Sequence, residues 1–231
     1  MVRLLAFLLL MAAPAAASAH DFRVERDGDG FVLRYGHVGH EPLPVDRAKI
    51  RALRCAGEGG AVRDVLPEAR FEAKAVRLPA AGSCAAVAAF HDGGYYCLTP
   101  DGEKPLPKRR CPEAVKSWES RQFAKWIDVR SPVAARPVGD EFELVPVTGL
   151  AEVRRGDKAT FRVLHEGKPV AGAVIAIGHK SLGETDSRGE ARVKIRGKQT
   201  ETISATLRRP AKTEDADAVV LEASLTFAVT K

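Results

Sequence analysis

The residues with the clearest capacity for chemistry are histidines, and the first sits where a secretion signal ends. Arg3, an apolar run from Leu4 to Met11 and the small residues Ala12 to Ala19 form the basic region, apolar core and Ala-x-Ala site of a signal peptide over residues 1–19. Cleavage after Ala19 is expected to leave His20 first in the mature chain. Its free α-amine and imidazole can then close a small ring on a divalent transition metal, with Asp21 able to add an oxygen. A second pair, His37 and His40, is separated by two residues among glycines in Gly36-His37-Val38-Gly39-His40, a spacing that lets both rings reach one ion from a loop. His91, in the expected turn His91-Asp92-Gly93-Gly94, is a third available ligand. His165 and His179 fall in strands or turns further on and are read as unrelated to this set. The plainer reading is that these are solvated loop histidines holding nothing.

The elements needed to position such a site can be traced along the chain. Phe22-Arg23-Val24-Glu25-Arg26 and Phe31 to Tyr35 alternate around the turn Asp27-Gly28-Asp29-Gly30, which predicts a β-hairpin starting almost at the mature terminus. Its second strand returns residues near His37 toward His20. Further strands are expected over 49–55, 73–78 and 84–90. One helix is expected over 112–128, with Pro112 at its start and Val115, Trp118, Gln122, Phe123, Trp126 and Ile127 on its apolar face. Cys55, Cys84, Cys97 and Cys111 are an even set in an exported chain, with no Cys-x-x-Cys metal spacing. Of three possible connectivities, Cys55 with Cys84 and Cys97 with Cys111 closes two modest loops in sequence order and is the expected one.

Residues 131–139, with Pro132 and Pro137, read as a linker between an N-terminal β-rich half, 20–130, and a β-sandwich, 140–231. Strands are expected there over 141–147, 159–165, 173–177, 190–195, 201–207 and 219–229. The fold class is thus mainly β: two β-rich halves and one helix.

Lys and Arg number 36 against 30 Asp and Glu, but they are scattered, and no nucleic-acid motif interleaves them with aromatics. No other apolar run can span a bilayer. The mature chain is therefore expected to be soluble and exported, not membrane-spanning and without a nucleic-acid partner. Gly-x-Ser-x-Gly, His-Glu-x-x-His and phosphate-loop patterns are missing, and Asp27, Asp29, Glu184 and Asp186 lie in expected turns, so the chain reads as a binder rather than an enzyme.

Glu143 to Val147, Arg154-Arg155-Gly156-Asp157, Gly167-Lys168-Pro169-Val170-Ala171-Gly172-Ala173-Val174 and Glu184-Thr185-Asp186-Ser187-Arg188-Gly189 resemble the NikM-like family of exported proteins (domain of unknown function 4198) associated with cobalt and nickel uptake. The C-terminal half is also similar to transthyretin-like and carboxypeptidase-regulatory-like sandwiches and is expected to be Ig-like or transthyretin-like. Ala19-His20-Asp21-Phe22 matches the start of family members, whereas Arg23 stands where they commonly carry an aromatic residue. The middle, 55–111, is not part of that signature. The resemblance implies a periplasmic accessory protein that binds nickel or cobalt, with a membrane metal transporter as partner. His20 is the implied ligand, and ligand chemistry admits copper as well. The alternatives are an envelope structural or interaction module without metal, and a copper histidine brace.

Overall fold

The computed structural model describes residues 21–37, 39–79 and 83–230; the signal segment and His20 lie outside them. The expected hairpin is present as β1 (Phe22–Asp27) and β2 (Gly30–Tyr35), paired from Phe22 with Tyr35 to Asp27 with Gly30. There follow β3 (Ile50–Gly57), β4 (Val62–Asp64), β5 (Arg70–Glu72), β6 (Ala75–Leu78), β7 (Cys84–Thr99), β8 (Gly102–Lys104) and β9 (Lys116–Ile127). Past the proline-bearing segment come β10 (Phe142–Pro146), β11 (Lys158–His165), β12 (Lys168–Pro169), β13 (Val174–Ile177) and β14 (Lys180–Glu184). The chain ends with β15 (Glu190–Lys194), β16 (Thr200–Pro210) and β17 (Ala218–Ala228).

These strands form three layers. The middle layer is a nine-stranded sheet ordered β14-β13-β16-β17-β9-β7-β3-β4, with β8 on β7. A four-stranded sheet, β1-β2-β6-β5, covers one face, and a second, β10-β11-β12 with β15 on β11, covers the other. Side-chain parity shows both coverings. On β9, Ala124 and Trp126 pack with Phe22, Phe31 and Leu33 of the hairpin, while Phe123 and Ile127 pack with Phe142, Leu144 and Phe161 on the opposite side. The arrangement is β-sandwich-like on both faces of one shared sheet. Cys55–Cys84 and Cys97–Cys111 are the disulfides, as expected, and both cross-link the N-terminal part of that sheet. They fit an oxidising compartment. Among the described residues no helix is long and apolar enough to cross a membrane.

Two expectations are corrected. Residues 116–127 are not a helix but β9, antiparallel to β7 and parallel to β17. A strand covered on both faces buries consecutive residues, here Gln122 to Ile127, and so loses the two-residue alternation that would mark it. The helical spacing of Trp118, Gln122 and Trp126 was an accident of that continuous burial. Likewise, His91-Asp92-Gly93-Gly94 is no turn. β7 runs straight through it with a bulge between Asp92 and Gly94, where Gly94, at φ +80°, donates its N–H to Asp92 Oδ1. Gly93 is needed because a Cβ there would come within 2.8 Å of Ser120 on β9.

The doubly covered sheet also buries charge. Lys125 on β9 and Glu143 on β10 pair at 2.6 Å with side chains 4% and 3% exposed, and Glu143 also accepts the N–H groups of Val138 and Gly139. Removing one member leaves the other charged and dry. Lys125→Met should cost about 3–5 kcal/mol in chemical unfolding, and a Lys125→Met/Glu143→Leu double variant should recover much of it. A loss below about 1 kcal/mol in the single variant would show that the pair is not desolvated in solution.

Candidate functional site

The start of β1 is fixed by hydrogen bonds that also place the first histidine loop. Gly36, at φ +113°, donates its N–H to Asp21 O at 2.9 Å, and Arg23 Nη1 donates to Gly36 O at 2.7 Å. Arg23 is buried and its Nε is held by Glu25 at 2.6 Å. The departure from an aromatic residue at position 23 therefore has a structural use: the guanidinium clamps the loop. Leu43 N–H then donates to Tyr35 O and closes the loop onto its own stem. Within the loop, His40 N–H donates to His37 O at 3.2 Å, so the two histidines bracket a turn through Gly39. Their ring centres stand 6.1 Å apart, His37 half-buried and His40 exposed.

His37 has a closer neighbour. His179, set aside in the sequence as unrelated, packs its ring 4.5 Å from that of His37 at an interplanar angle of 63°. It is carried by the turn between β13 and β14, the far edge of the middle sheet. His165 stays apart, 3.9 Å from Glu141.

Beneath the hairpin the covered face of the middle sheet becomes polar. His91 on β7, Gln122 on β9 and Glu222 on β17 are register neighbours and are all buried. His91 Nδ1 lies 2.9 Å from Gln122 Oε1, and Gln122 Nε2 lies 3.4 Å from Glu222 Oε2. An amide oriented to donate to Glu222 presents its oxygen to His91, so His91 donates Nδ1–H and keeps its lone pair on Nε2. The rings of Phe22 and Tyr35 flank His91 at 5.3 and 5.2 Å. Next along β17, Ser224 Oγ donates to Phe22 O at 2.6 Å, tying β1 to this sheet.

Burial controls the electrostatics. It lowers the His91 pKa, only partly opposed by the Gln122 bond, and so favours neutral imidazole. For Glu222, burial raises the pKa from 4.5 to about 7; the Gln122 bond opposes the rise and the charge of Asp21 adds to it. Asp21 Oδ2 is itself buried and has no hydrogen-bond partner. A groove of about 500 Å³ runs from here, lined by Asp21, Glu25, Arg26, Trp126, Gly178, Ser224 and Thr226 among others.

The structure thus gathers Asp21, His37, His40 and His179 around the start of β1, with His91 one layer below. As they stand, no three His, Cys, Asp or Glu side chains among the described residues form a group able to hold a metal ion. His20, the residue before Asp21, lies outside the described residues. Glu222 and Ser224 are not singled out in the sequence, where Gln122 reads as part of a helix face and His179 as unrelated to the site. Glu222, Ser224 and Thr226 do alternate with Leu221, Ala223, Leu225 and Phe227, but alternation marks a polar face without showing that another sheet covers it.

Comparison with known proteins then identifies the family. The profile described as a domain of unknown function (DUF4198) matches residues 17–204. The chain belongs to that family. The match takes in His20 and runs through the cysteine-bearing middle, so the family relation is not confined to the two ends that carried the resemblance. It stops within β16, leaving β17 and Glu222 beyond it. No curated protein matches the chain. Among solved structures, the N-terminal four Ig domains of Dscam1 isoform 9.44 align with 78% of this chain and 37% of theirs at 11% identity and TM-score 0.25. A structure addressing Dscam isoform specificity aligns with 76% and 37% at 11% identity and TM-score 0.23. The chain spans just over a third of those proteins, and likeness at such scores decides neither fold nor function.

Glu222 supplies a test of the buried polar patch. Its pKa is raised in the folded state, so the native protein keeps a proton that the unfolded chain releases above pH 4.5, and stability falls as pH rises from about 4.5 to about 7. Glu222→Gln lacks this loss. Urea unfolding of both proteins should show the advantage of the variant growing by about 3 kcal/mol between pH 4 and pH 8. An advantage that stays constant over that range would mean that Glu222 is not buried as described.

Proposed function

We propose that the chain is a periplasmic transition-metal-binding accessory protein of a nickel or cobalt uptake system. In this reading the ion is held at the start of β1 by His20, through its α-amine and ring, together with Asp21 and His37. His40 stands at the rim of the same loop, and His91 supports the site from below through Gln122. The observation that carries the proposal is the orphaned Asp21 Oδ2: a buried carboxylate oxygen without a partner, one residue from a histidine expected at the mature terminus and on the loop stem that carries His37. Such an oxygen is costly to bury unless something positive meets it.

Nitrogen donors with one carboxylate suit nickel, cobalt, copper and zinc, and copper binds such a set at least as tightly as nickel or cobalt. Nickel or cobalt as cargo, and a membrane transporter as partner, follow from the resemblance to the NikM-like proteins. The disulfides are consistent with an exported protein that works in an oxidising compartment.

The test is calorimetric titration of nickel, cobalt and copper into the mature protein beginning at His20, beside the same protein with one alanine added before it. The addition turns the terminal amine into a peptide nitrogen and leaves every side chain in place. Affinity should fall at least tenfold. Equal affinity in both forms would remove the terminal amine from the site, and no binding to either would leave the envelope interaction module as the better reading.

A further inference from the structure

The contact between His37 and His179 joins two segments that lie far apart in sequence, and the β-sheets hold both in place. His37 sits on the loop stem clamped by Asp21, Arg23 and Leu43. His179 is the second residue of the two-residue turn Gly178-His179 between the paired Ile177 and Lys180, and Gly178 adopts φ +54°, which a primed hairpin turn requires of its first residue. A tight primed turn leaves the position of His179 little freedom, although its ring is exposed.

Two imidazoles bound to one ion at about 2.0–2.1 Å have ring centres roughly 4.5–5.3 Å apart for bond angles of about 90–110°. The 4.5 Å between His37 and His179 lies in that range, and the 6.1 Å between His37 and His40 lies beyond it. The two rings are inclined at 63° rather than stacked, as two ligands approaching one ion from adjacent directions would be. Gly178 and Ile177, which lead into that turn, line the groove together with Asp21.

We infer that His37 and His179 are a ligand pair for a divalent transition metal, and that the bound ion clamps the β13–β14 turn to the loop after β2 across one end of the groove. The inference deepens the metal-binding reading above by adding a ligand from the C-terminal half. It gives that half a role in binding, since neither segment can close the pair alone.

The experiment uses the mature protein with nickel(II) and zinc(II) as probes, and compares wild type with His179→Ala, His37→Ala and, as a control away from the site, His165→Ala. In calorimetry, His179→Ala and His37→Ala should each weaken binding at least tenfold, with His165→Ala unchanged. Two-bond proton–nitrogen spectra of the imidazoles should show the ring nitrogens of both His37 and His179 shifting on metal addition. Amide exchange at Gly178 to Lys180 should slow with metal in wild type and not in His37→Ala, a readout that loss of a mere packing contact would not move. If His179→Ala binds as wild type does and its ring signals stay still, the clamp is wrong while the terminal-histidine site stands. If the added alanine has no effect but His179→Ala abolishes binding, the clamp stands and the terminal amine is excluded. If wild type binds neither ion, both readings fall.

Discussion

The parallel pairing of β9 with β17, from Trp118 beside Ala218 to Ile127 beside Phe227, is the constraint from which the rest of the molecule follows. It joins strands from the two parts of the chain into one sheet and places that sheet in the interior, since a smaller sheet lies on each face. A parallel pair in the centre of a sheet is normally covered on both sides, and here both coverings are sheets. Every side chain of β9 from Gln122 to Ile127 therefore needs a partner out of water. The sequence supplies three kinds of partner. Phe123 and Ile127 find one apolar core, Ala124 and Trp126 find the other, and the polar members, Gln122 and Lys125, find Glu222 with His91 and Glu143 respectively.

These two polar burials differ in kind. Lys125 and Glu143 complete each other, and the remaining carboxylate valence is filled by the Val138 and Gly139 amides, so the pair is a closed structural unit. The His91, Gln122 and Glu222 chain instead joins a buried imidazole to a buried carboxyl through one amide. Its carboxyl is pushed toward the neutral form by burial and by the nearby Asp21, and Asp21 itself presents a buried oxygen with nothing bound to it. A fold optimised only for stability would place apolar residues on this part of the sheet, as it does on the neighbouring part under Phe31 and Trp126. The unpartnered carboxylate oxygen of Asp21 thus lies at the end of the layer where the apolar core gives way to buried polar side chains.

Much of the strand pattern is legible in the sequence, and what escaped has a common cause. The hairpin, the two disulfides and the long strands β16 and β17 are marked by local signals: turn residues, loop lengths and two-residue alternation. β9 escaped because burial on both faces erases alternation, and β7 was cut short because its bulge glycines look like a turn when the demand of Ser120 for close approach is unseen. Of the candidate site, His37, His40 and Asp21 were visible because spacing and position in the chain are local. Glu222 and His179 were not, because their significance rests on register across the sheet: Glu222 beside Gln122, and the β13–β14 turn beside the loop after β2. No short-range pattern encodes either relation.

The location of the site follows from the same logic. β1 is an edge strand of its sheet, and its first residues lie over the polar stretch of the middle layer, where Ser224 holds the Phe22 carbonyl and Gly36 holds that of Asp21. The hydrogen bonds to residues 21 and 22 come from β17 and from the loop after β2, so the start of β1 is fixed between segments that are distant in sequence. The loop after β2 and the β13–β14 turn meet at His37 and His179, whose ring centres stand 4.5 Å apart. Both rings are carried by short connections, but the strands that flank them are paired along their length, so the separation of the rings is set by the sheets rather than by the connections themselves.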